Sequence, residues 1–338
     1  MEKGKERRSI ENMRCLITGV DGFLASHLAD YLLEHERNVE IFGTIRKGAD
    51  RGNITHVLNQ IHLVDMDLTD AYSVNAAVHV AEPDWIFHLA GQSYVPTSWT
   101  SPHVTFEVNA IGTCHLLEAV RKNCKDAYVQ IAGSSEEYGR VRPNECPITE
   151  NQPLRPMSPY GVSKVAADKL GYQYARSYGL NICVTRTFNQ SGPRRGDMFF
   201  DSDWCKQVAL MEVDKHKKEI RHGNLDAVRD MSDARDTVKI YAAIAKKHKP
   251  TDSNVFNVCS GWGIEMSEVM ELLKSMSIVE FSTAQDPNRM RPSDVPLLVG
   301  SNDKLDKYLN DVMELPYRPY AATLMDLLDY WRVRVEHP

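Results

Sequence analysis

The feature that most constrains this chain is a repeated exchange of period, in which short apolar runs give way to stretches with helical spacing and back again. Met13 to Gly19 (MRCLITG) is a strand-like run closed by a glycine turn. Phe23, Leu24, His27, Leu28, Tyr31 and Leu32 then recur at helical spacing, and Val39 to Ile45 follows as a second strand. The alternation continues through a strand Ile61 to Val64, a helix near Ala71 to Ala81, a strand Trp85 to Leu89, a helix near Thr105 to Lys122 and a strand Tyr128 to Ala132. Successive βαβ units of this kind predict a parallel sheet covered by helices on both faces. A long helix is expected over Pro159 to Tyr178, because Ser158-Pro159 reads as an N-cap followed by an N1 proline and Gly179 as the terminating glycine. Strand Ile182 to Thr187 follows. Beyond Asn189 the pattern loosens into a Pro/Arg/Gly loop, helical stretches near Trp204 to Lys217, Asp236 to Lys247 and Ser267 to Met276, and short strands between them.

Length and charge narrow the function classes. At about 150 residues per domain, 338 residues suggest about two domains, or one large α/β unit with an appended lobe. With 40 Lys+Arg against 46 Asp+Glu and no long basic stripe, nucleic acid and anionic membrane are not expected as main partners. An anionic ligand would need a local basic pocket. No run approaches the ~18 uninterrupted apolar residues of a membrane span, and Met1 to Asn12 is charged, without a signal-peptide core. A cytoplasmic location is expected. The seven cysteines show no CxxC spacing and read as reduced packing residues, and no metal site is expected.

Four patterns carry chemistry. Gly19 to Ala25 (GVDGFLA) reads GxxGxxA between the first strand and first helix, where small residues let a backbone approach a pyrophosphate at a helix N-terminus. Alone it reads equally as a tight turn. At the end of the second strand, Thr44-Ile45-Arg46-Lys47 offers two cations and no carboxylate, which suits a ribose 2′-phosphate better than a bare ribose. Arg46 is the candidate, against the plainer reading of an exposed charge. Asp67-Leu68 after the third strand can flank adenine, or Asp67 can cap the next helix. Tyr160 and Lys164 (YGVSK) stand i,i+4 on the long helix and so share a face. A nearby ammonium favours the phenolate, so Tyr160 is expected to exchange a proton with a sugar hydroxyl or carbonyl near neutral pH. In Gly133 to Gly139 (GSSEEYG), Ser134 can hydrogen-bond the reacting oxygen and Glu136 can move a proton, whereas Glu137 is expected to be solvated.

Together the segments GVDGFLASHL, DLTD, HLAGQSYVPTSW, GSSEEYG, LRPMSPYGVSK, RTFNQSGPRRG, GNLDAVRD, NVCSG and MRPSDVPLLVG resemble, in family order from Arg14 to Leu309, the extended short-chain dehydrogenase/reductases that modify nucleotide sugars. The resemblance is to the GDP-mannose 4,6-dehydratases and their relatives, the GDP-4-keto-6-deoxymannose reductases. It implies a Rossmann-type doubly wound parallel sheet with a smaller C-terminal substrate-binding lobe. A tail over 1–12, an NADP-binding domain over 13–188 and a mainly nucleotide-sugar-binding lobe over 189–338, interleaved with the last sheet strands, are expected.

By position, Ser134, Glu136, Tyr160 and Lys164 match the family's catalytic residues. Gly19, Gly22, Phe23, Leu24, Arg46, Asp67, Leu68, Leu89, Ala90 and Gln92, with Tyr160 and Lys164, match its cofactor positions. Ser134, Asn189, Arg195, Arg229, Arg291 and Asp294 match positions that contact the GDP-sugar, in keeping with guanidinium forks for a diphosphate and a carboxylate for a guanine edge. For each arginine taken singly, a surface salt bridge is the plainer reading. Ala25, Gly91, Gln190 and Asp203 depart from the family pattern, the last standing where dehydratases often carry a lysine.

The activity implied is conversion of GDP-mannose to GDP-4-keto-6-deoxymannose. Bound NADP, with NAD as the alternative, takes hydride from sugar C4 and returns it to C6. Tyr160 removes the C4 hydroxyl proton, Ser134 polarises that oxygen, and Glu136 transfers the C5 proton and helps the C6 hydroxyl leave as water. The alternatives are an NADPH-dependent reductase of a GDP-4-keto-6-deoxy sugar, which needs Tyr160 and Lys164 but not Glu136, and a non-catalytic NADP-binding regulator. A homodimer or homotetramer is implied, with the Arg194-Arg195 loop able to reach a neighbouring subunit's cofactor.

Overall fold

The computed structural model describes residues 12–215, 217–252, 255–290 and 295–336. In chain order the first half runs β1 (Met13–Thr18), α1 (Phe23–His35), β2 (Val39–Ile45), β3 (Ile61–Asp65), α2 (Ala71–Ala81), β4 (Trp85–His88), α3 (Val95–Thr100), α4 (Pro102–Phe106), α5 (Gly112–Asn123), β5 (Tyr128–Ala132), α6 (Pro159–Tyr178) and β6 (Asn181–Thr187). The second half runs β7 (Asn189–Ser191), α7 (Phe200–Glu212), β8 (Glu219–His222), β9 (Val228–Asp233), α8 (Ala234–Lys247), β10 (Val255–Val258), β11 (Gly263–Glu265), α9 (Met266–Met276), β12 (Ser282–Gln285), β13 (Leu297–Leu298), α10 (Asp303–Leu309) and α11 (Tyr320–Glu336).

A seven-stranded sheet in the order β10-β6-β5-β4-β1-β2-β3 forms the centre, and every pairing in it is parallel. The order turns back beside β1, which leaves a crevice between the carboxyl ends of β1 and β4 where open α/β sheets bind ligands. Neighbouring residues on each strand enter opposite cores. Ile17 and Phe87 join Leu28, Ile41, Tyr241 and Phe256 on one face. Leu16 and Ile86 join Val74, Leu116, Val129 and Val184 on the other. Each fully enclosed Leu or Ile of this kind stabilises the fold by roughly 1.5–3 kcal/mol. The seventh strand, β10, comes from the second half and pairs with β6, Phe256 opposite Thr185.

Outside this sheet, β9 pairs with β7, β11 and β13, and β8 with β12. A separate apolar cluster there gathers Trp204, Val208, Ile220, Leu273, Leu324 and Leu328. Helix α11, which contributes Leu324, Leu327 and Leu328, was not anticipated although these residues stand at helical spacing. The helix expected near Thr105 to Lys122 instead begins at Pro102 and carries a π-turn over Glu107–Ile111. Single π-turns inside α-helices are frequently found at functional sites. Helix α6 has its expected ends: the Ser158 side chain accepts from Gly161 N–H, and Gly179 closes it at φ 69°.

Candidate active site

The glycine turn follows β1 directly. Gly19 adopts φ +65°, and a Cβ there would stand 3.1 Å from Ala90 Cα, so only glycine lets the β1 and β4 turns approach this closely. The second turn hangs from the first strand: Thr18 Oγ1 accepts both Leu89 N–H and Ala90 N–H at 3.0 Å. It also lies 3.0 Å from His88 Nδ1. His88 Nε2 lies 3.1 Å from the Thr113 hydroxyl, which donates to Asn109 carbonyl. Burial, with the Lys164 charge, pulls the imidazolium of His88 down to about 3, so the ring is neutral.

Beyond β2 and β3 a cavity of about 470 Å³ is lined by Arg46, Lys47, Gly48, Ala49, Asp65, Met66, Asp67, Asp70 and Ser73. It brings Arg46 and Asp67 together. Asp67 does not cap the following helix. Its Oδ1 accepts the Thr69 N–H and hydroxyl, while Asp70 is the N-cap of α2. In the loop after β4 the Gln92 side-chain oxygen is buried without a hydrogen-bond partner. A dinucleotide with a phosphorylated ribose fits this edge: small residues for its pyrophosphate, two cations at the far cavity, and an orphaned acceptor near the sheet switch point.

The catalytic loop and helix α6 meet across Gly161. A Cβ there would stand 2.6 Å from Glu136 carbonyl, so the missing side chain lets the loop lie against the first turn of α6. Ser134 and Tyr160 are buried, Glu136 is half-buried, and Lys164 Nζ donates to Ala132 carbonyl at 2.8 Å. The ammonium lies 5.9 Å from the Tyr160 ring centre. The expectation for Tyr160 needs correction. Burial raises the Tyr160 phenol, and the hydrogen bond with Ser134, rather than the ammonium, is what chiefly opposes it. Burial also pulls Lys164 down to about 8, with Glu137 opposing.

Glu137 is not solvated. It is fully enclosed, because Ser134 N–H donates to its Oε1 at 2.7 Å and draws the side chain inward beside Arg186.

Asn109, in the π-turn, is a site residue the sequence reading missed. Its Oδ1 accepts Gln92 N–H at 2.8 Å, and its Nδ2 donates to Gln92 carbonyl at 2.9 Å and to Ser163 Oγ at 3.0 Å. A buried asparagine in a helical pattern was the signal available.

In the second half, Asn189 is half-buried on β7, and Arg229 is buried on β9 with Nη1 donating to Val228 carbonyl. Arg195 is buried, pairs through Nε with Asp201 at 3.0 Å and lies over the rings of Phe199 (4.1 Å) and Phe23 (5.5 Å). Its neighbour Arg194, at φ 70°, pairs with Asp30 of α1 at 2.7 Å. The loop therefore closes onto its own chain's α1. Asp203 holds Arg289 at 2.7 Å, and Gln190 Oε1 accepts from Thr237. Arg291 and Asp294 lie outside the described residues.

This constellation, a phenol, a lysine, a hydroxyl and a carboxyl at the switch point of a parallel sheet, defines an extended short-chain dehydrogenase/reductase. The GDP-mannose 4,6 dehydratase family model matches residues 16–311, and the chain belongs to that family. It is 29% identical to the GDP-6-deoxy-D-mannose reductase of Pseudomonas aeruginosa, over 95% of this chain and 98% of that one. It is 31% identical to a GDP-mannose 4,6-dehydratase of Vibrio cholerae, over 92% of each chain. Among solved structures, RMD from Pseudomonas aeruginosa complexed with NADPH superposes with a TM-score of 0.80 at 27% identity, covering 96% of this chain and 99% of that one. No helix of the described residues is long and apolar enough to cross a membrane.

Proposed function

We propose that this enzyme is an NADP-dependent lyase that converts GDP-mannose to GDP-4-keto-6-deoxymannose. The observation that carries the reading is Glu136, held by the α6 contact at Gly161 beside Ser134 and Tyr160, since a carboxyl at this place is what elimination at C5 and C6 requires. Residues 13–188 hold the dinucleotide through Gly19, Gly22, Phe23, Leu24, Arg46, Asp67, Leu68, Leu89, Ala90 and Gln92. Residues 189–338 hold mainly the GDP-sugar, through Asn189, the terminal nitrogens of Arg195, Arg229, Arg291 and Asp294.

A dinucleotide held by these residues would supply the hydride acceptor and donor that the reaction needs. Tyr160 takes the proton of the C4 hydroxyl, with the Ser134 hydroxyl fixing that oxygen. Lys164, anchored on Ala132 carbonyl, would hold the nicotinamide ribose, and the hydrogen bond with Ser134 is what favours the Tyr160 phenolate against burial. Once C4 is a ketone its neighbour C5 is acidic, and Glu136 removes that proton and delivers it to the C6 oxygen, which departs as water. C5 is protonated again in the product by the proton that Tyr160 took from the C4 hydroxyl. The protein's own contribution is position and proton traffic.

Purified enzyme incubated with GDP-mannose and no added NADPH should form the 4-keto product, and Glu136→Gln should not. A second reading, an NADPH-dependent reductase of a GDP-4-keto-6-deoxy sugar, is supported by the full-length likeness to the Pseudomonas reductase. It requires instead that Glu136→Gln reduce such a sugar at the wild-type rate. We further propose a homodimer or homotetramer. The exposed Val104 and Ile111 beside the π-turn, with Val162, Tyr172 and Tyr178 on α6, are the apolar surface a second copy would cover.

A further inference from the structure

The chemistry above uses Glu136 and leaves the adjacent Glu137 without a task. Its Oε1 accepts Ser134 N–H, while its buried Oε2 makes no hydrogen bond and stands 3.4 Å from Arg186 Nε. That guanidinium is committed elsewhere. Nε and Nη2 meet Asp168 Oδ2 at 3.0 and 2.9 Å, and Nη1 donates to the Tyr138 hydroxyl and Glu150 carbonyl. Two enclosed carboxyls therefore flank one guanidinium. Asp168 also holds Lys169 Nζ at 2.9 Å, so Asp168 is the better compensated of the two and the proton falls on Glu137. Burial first, then the Asp168 charge, raises the Glu137 carboxyl.

Lys164 stands one helical turn before Asp168 on α6, and its Nζ donates to Ala132 carbonyl while Glu137 accepts Ser134 N–H, so ammonium and carboxyl are anchored two residues apart where β5 ends. Glu137 is accordingly the group that opposes the lysine's loss of charge. We propose that Glu137 is a proton-holding carboxyl beneath the active site that acts through Lys164, keeping the lysine an ammonium over a wider pH range than its burial would allow. Near neutrality Glu137 carries the proton on its unbonded oxygen. As pH rises it releases that proton, and the resulting carboxylate strengthens the lysine's hold on its own. The first proton to leave the pair is then the carboxyl's, and loss of the ammonium follows above about pH 8.

The other groups facing this pair are Asp168 and Lys169 of α6, Arg186 of β6, neutral His88 of β4, Glu136 of the same loop, and the phenols of Tyr160 and Tyr241, both raised by burial. The idea rests on the role given to Lys164 in the proposed function, but its test does not need turnover.

Glu137→Gln keeps an oxygen for Ser134 N–H and cannot ionise. In protein with 13C-labelled lysine, the Lys164 Cε signal, assigned by its loss in Lys164→Met, should titrate about half a pH unit or more lower in Glu137→Gln than in wild type. The alkaline limb of kcat/KM should move the same way. An unchanged or raised Lys164 midpoint overturns the proposal. The wild-type protein gives a second measurement should the variant not fold: the 13Cδ signal of Glu137 must titrate above the ordinary carboxylate range, and a midpoint within that range also overturns it. Failure of the dehydratase reading would show separately, as no product from GDP-mannose while the Lys164 midpoint still moves.

Discussion

Asn109 and Ser163 are joined by a buried hydrogen bond of 3.0 Å, and through it the π-turn is tied to the helix that carries Tyr160 and Lys164. Ser163 Oγ in turn donates to Tyr160 carbonyl at 2.7 Å. The same carboxamide makes a two-bond clamp on the backbone of Gln92, so one side chain sets the loop after β4 against α6. Removing it leaves half-buried Gln92 backbone groups unpaired, at up to about 1–3 kcal/mol for each such group where water does not replace the partner. Asn109→Ala should therefore lower the thermal midpoint measurably, and kcat should fall further than the lost stability explains, because the loop and helix are no longer fixed to each other. An unaltered kcat in the folded variant would contradict this.

Gly161 offers a sharper separation of fold from function. A methyl group at this position collides with Glu136 carbonyl, and alanine is otherwise welcome inside a helix. Gly161→Ala should leave circular dichroism unchanged while pushing the catalytic loop away from α6. An activity loss of roughly 10- to 100-fold is expected, since displacement of about 1 Å from the productive geometry can cost that much. Measuring kcat with thermal melting in the same preparation checks both halves.

Arg46 lines the cavity beyond β2 and β3, next to Lys47. A charge-assisted contact with a ribose phosphate contributes about 1.5–3 kcal/mol. Arg46→Ala should thus weaken NADP binding by roughly 10- to 150-fold at unchanged NAD affinity. Titration calorimetry with both dinucleotides reads the ratio directly, and an equal loss for each would remove Arg46 from phosphate recognition.

The central sheet was legible because parallel strands buried on both faces leave continuous apolar runs, and because caps such as Ser158 and Gly179 mark helix ends locally. The side chains at the site were less so. Glu137 reads as a surface carboxylate in sequence, and only Ser134 N–H and Arg186, 49 positions further along the chain, explain its enclosure. Asn109 was passed over because its partners, Gln92 and Ser163, lie on separate elements and no local pattern joins them. The Tyr160 expectation erred on magnitude. The i,i+4 lysine is present, but it stands 5.9 Å from the ring, and desolvation of the phenol outweighs it. Arg194 in the single chain pairs with Asp30 of α1, a contact between residues 164 positions apart that no local pattern announces.

Lys164 gives activity and stability opposite responses to alkali. Its value in the folded protein is about 8, below the ordinary 10.5 that the unfolded chain retains. Between those values the unfolded chain binds more protons, so this residue's contribution makes the protein more stable as pH rises across the window. Catalysis needs the ammonium, so kcat/KM should decline above about pH 8 over the same interval. Lys164→Met should abolish most turnover and also remove this residue's share of the rise in thermal midpoint between pH 8 and 10.5. Melting curves of both proteins across that range, set beside the wild-type pH–rate profile, decide the matter. A wild-type activity that holds level to pH 10 would show that the ammonium is not the form the reaction uses.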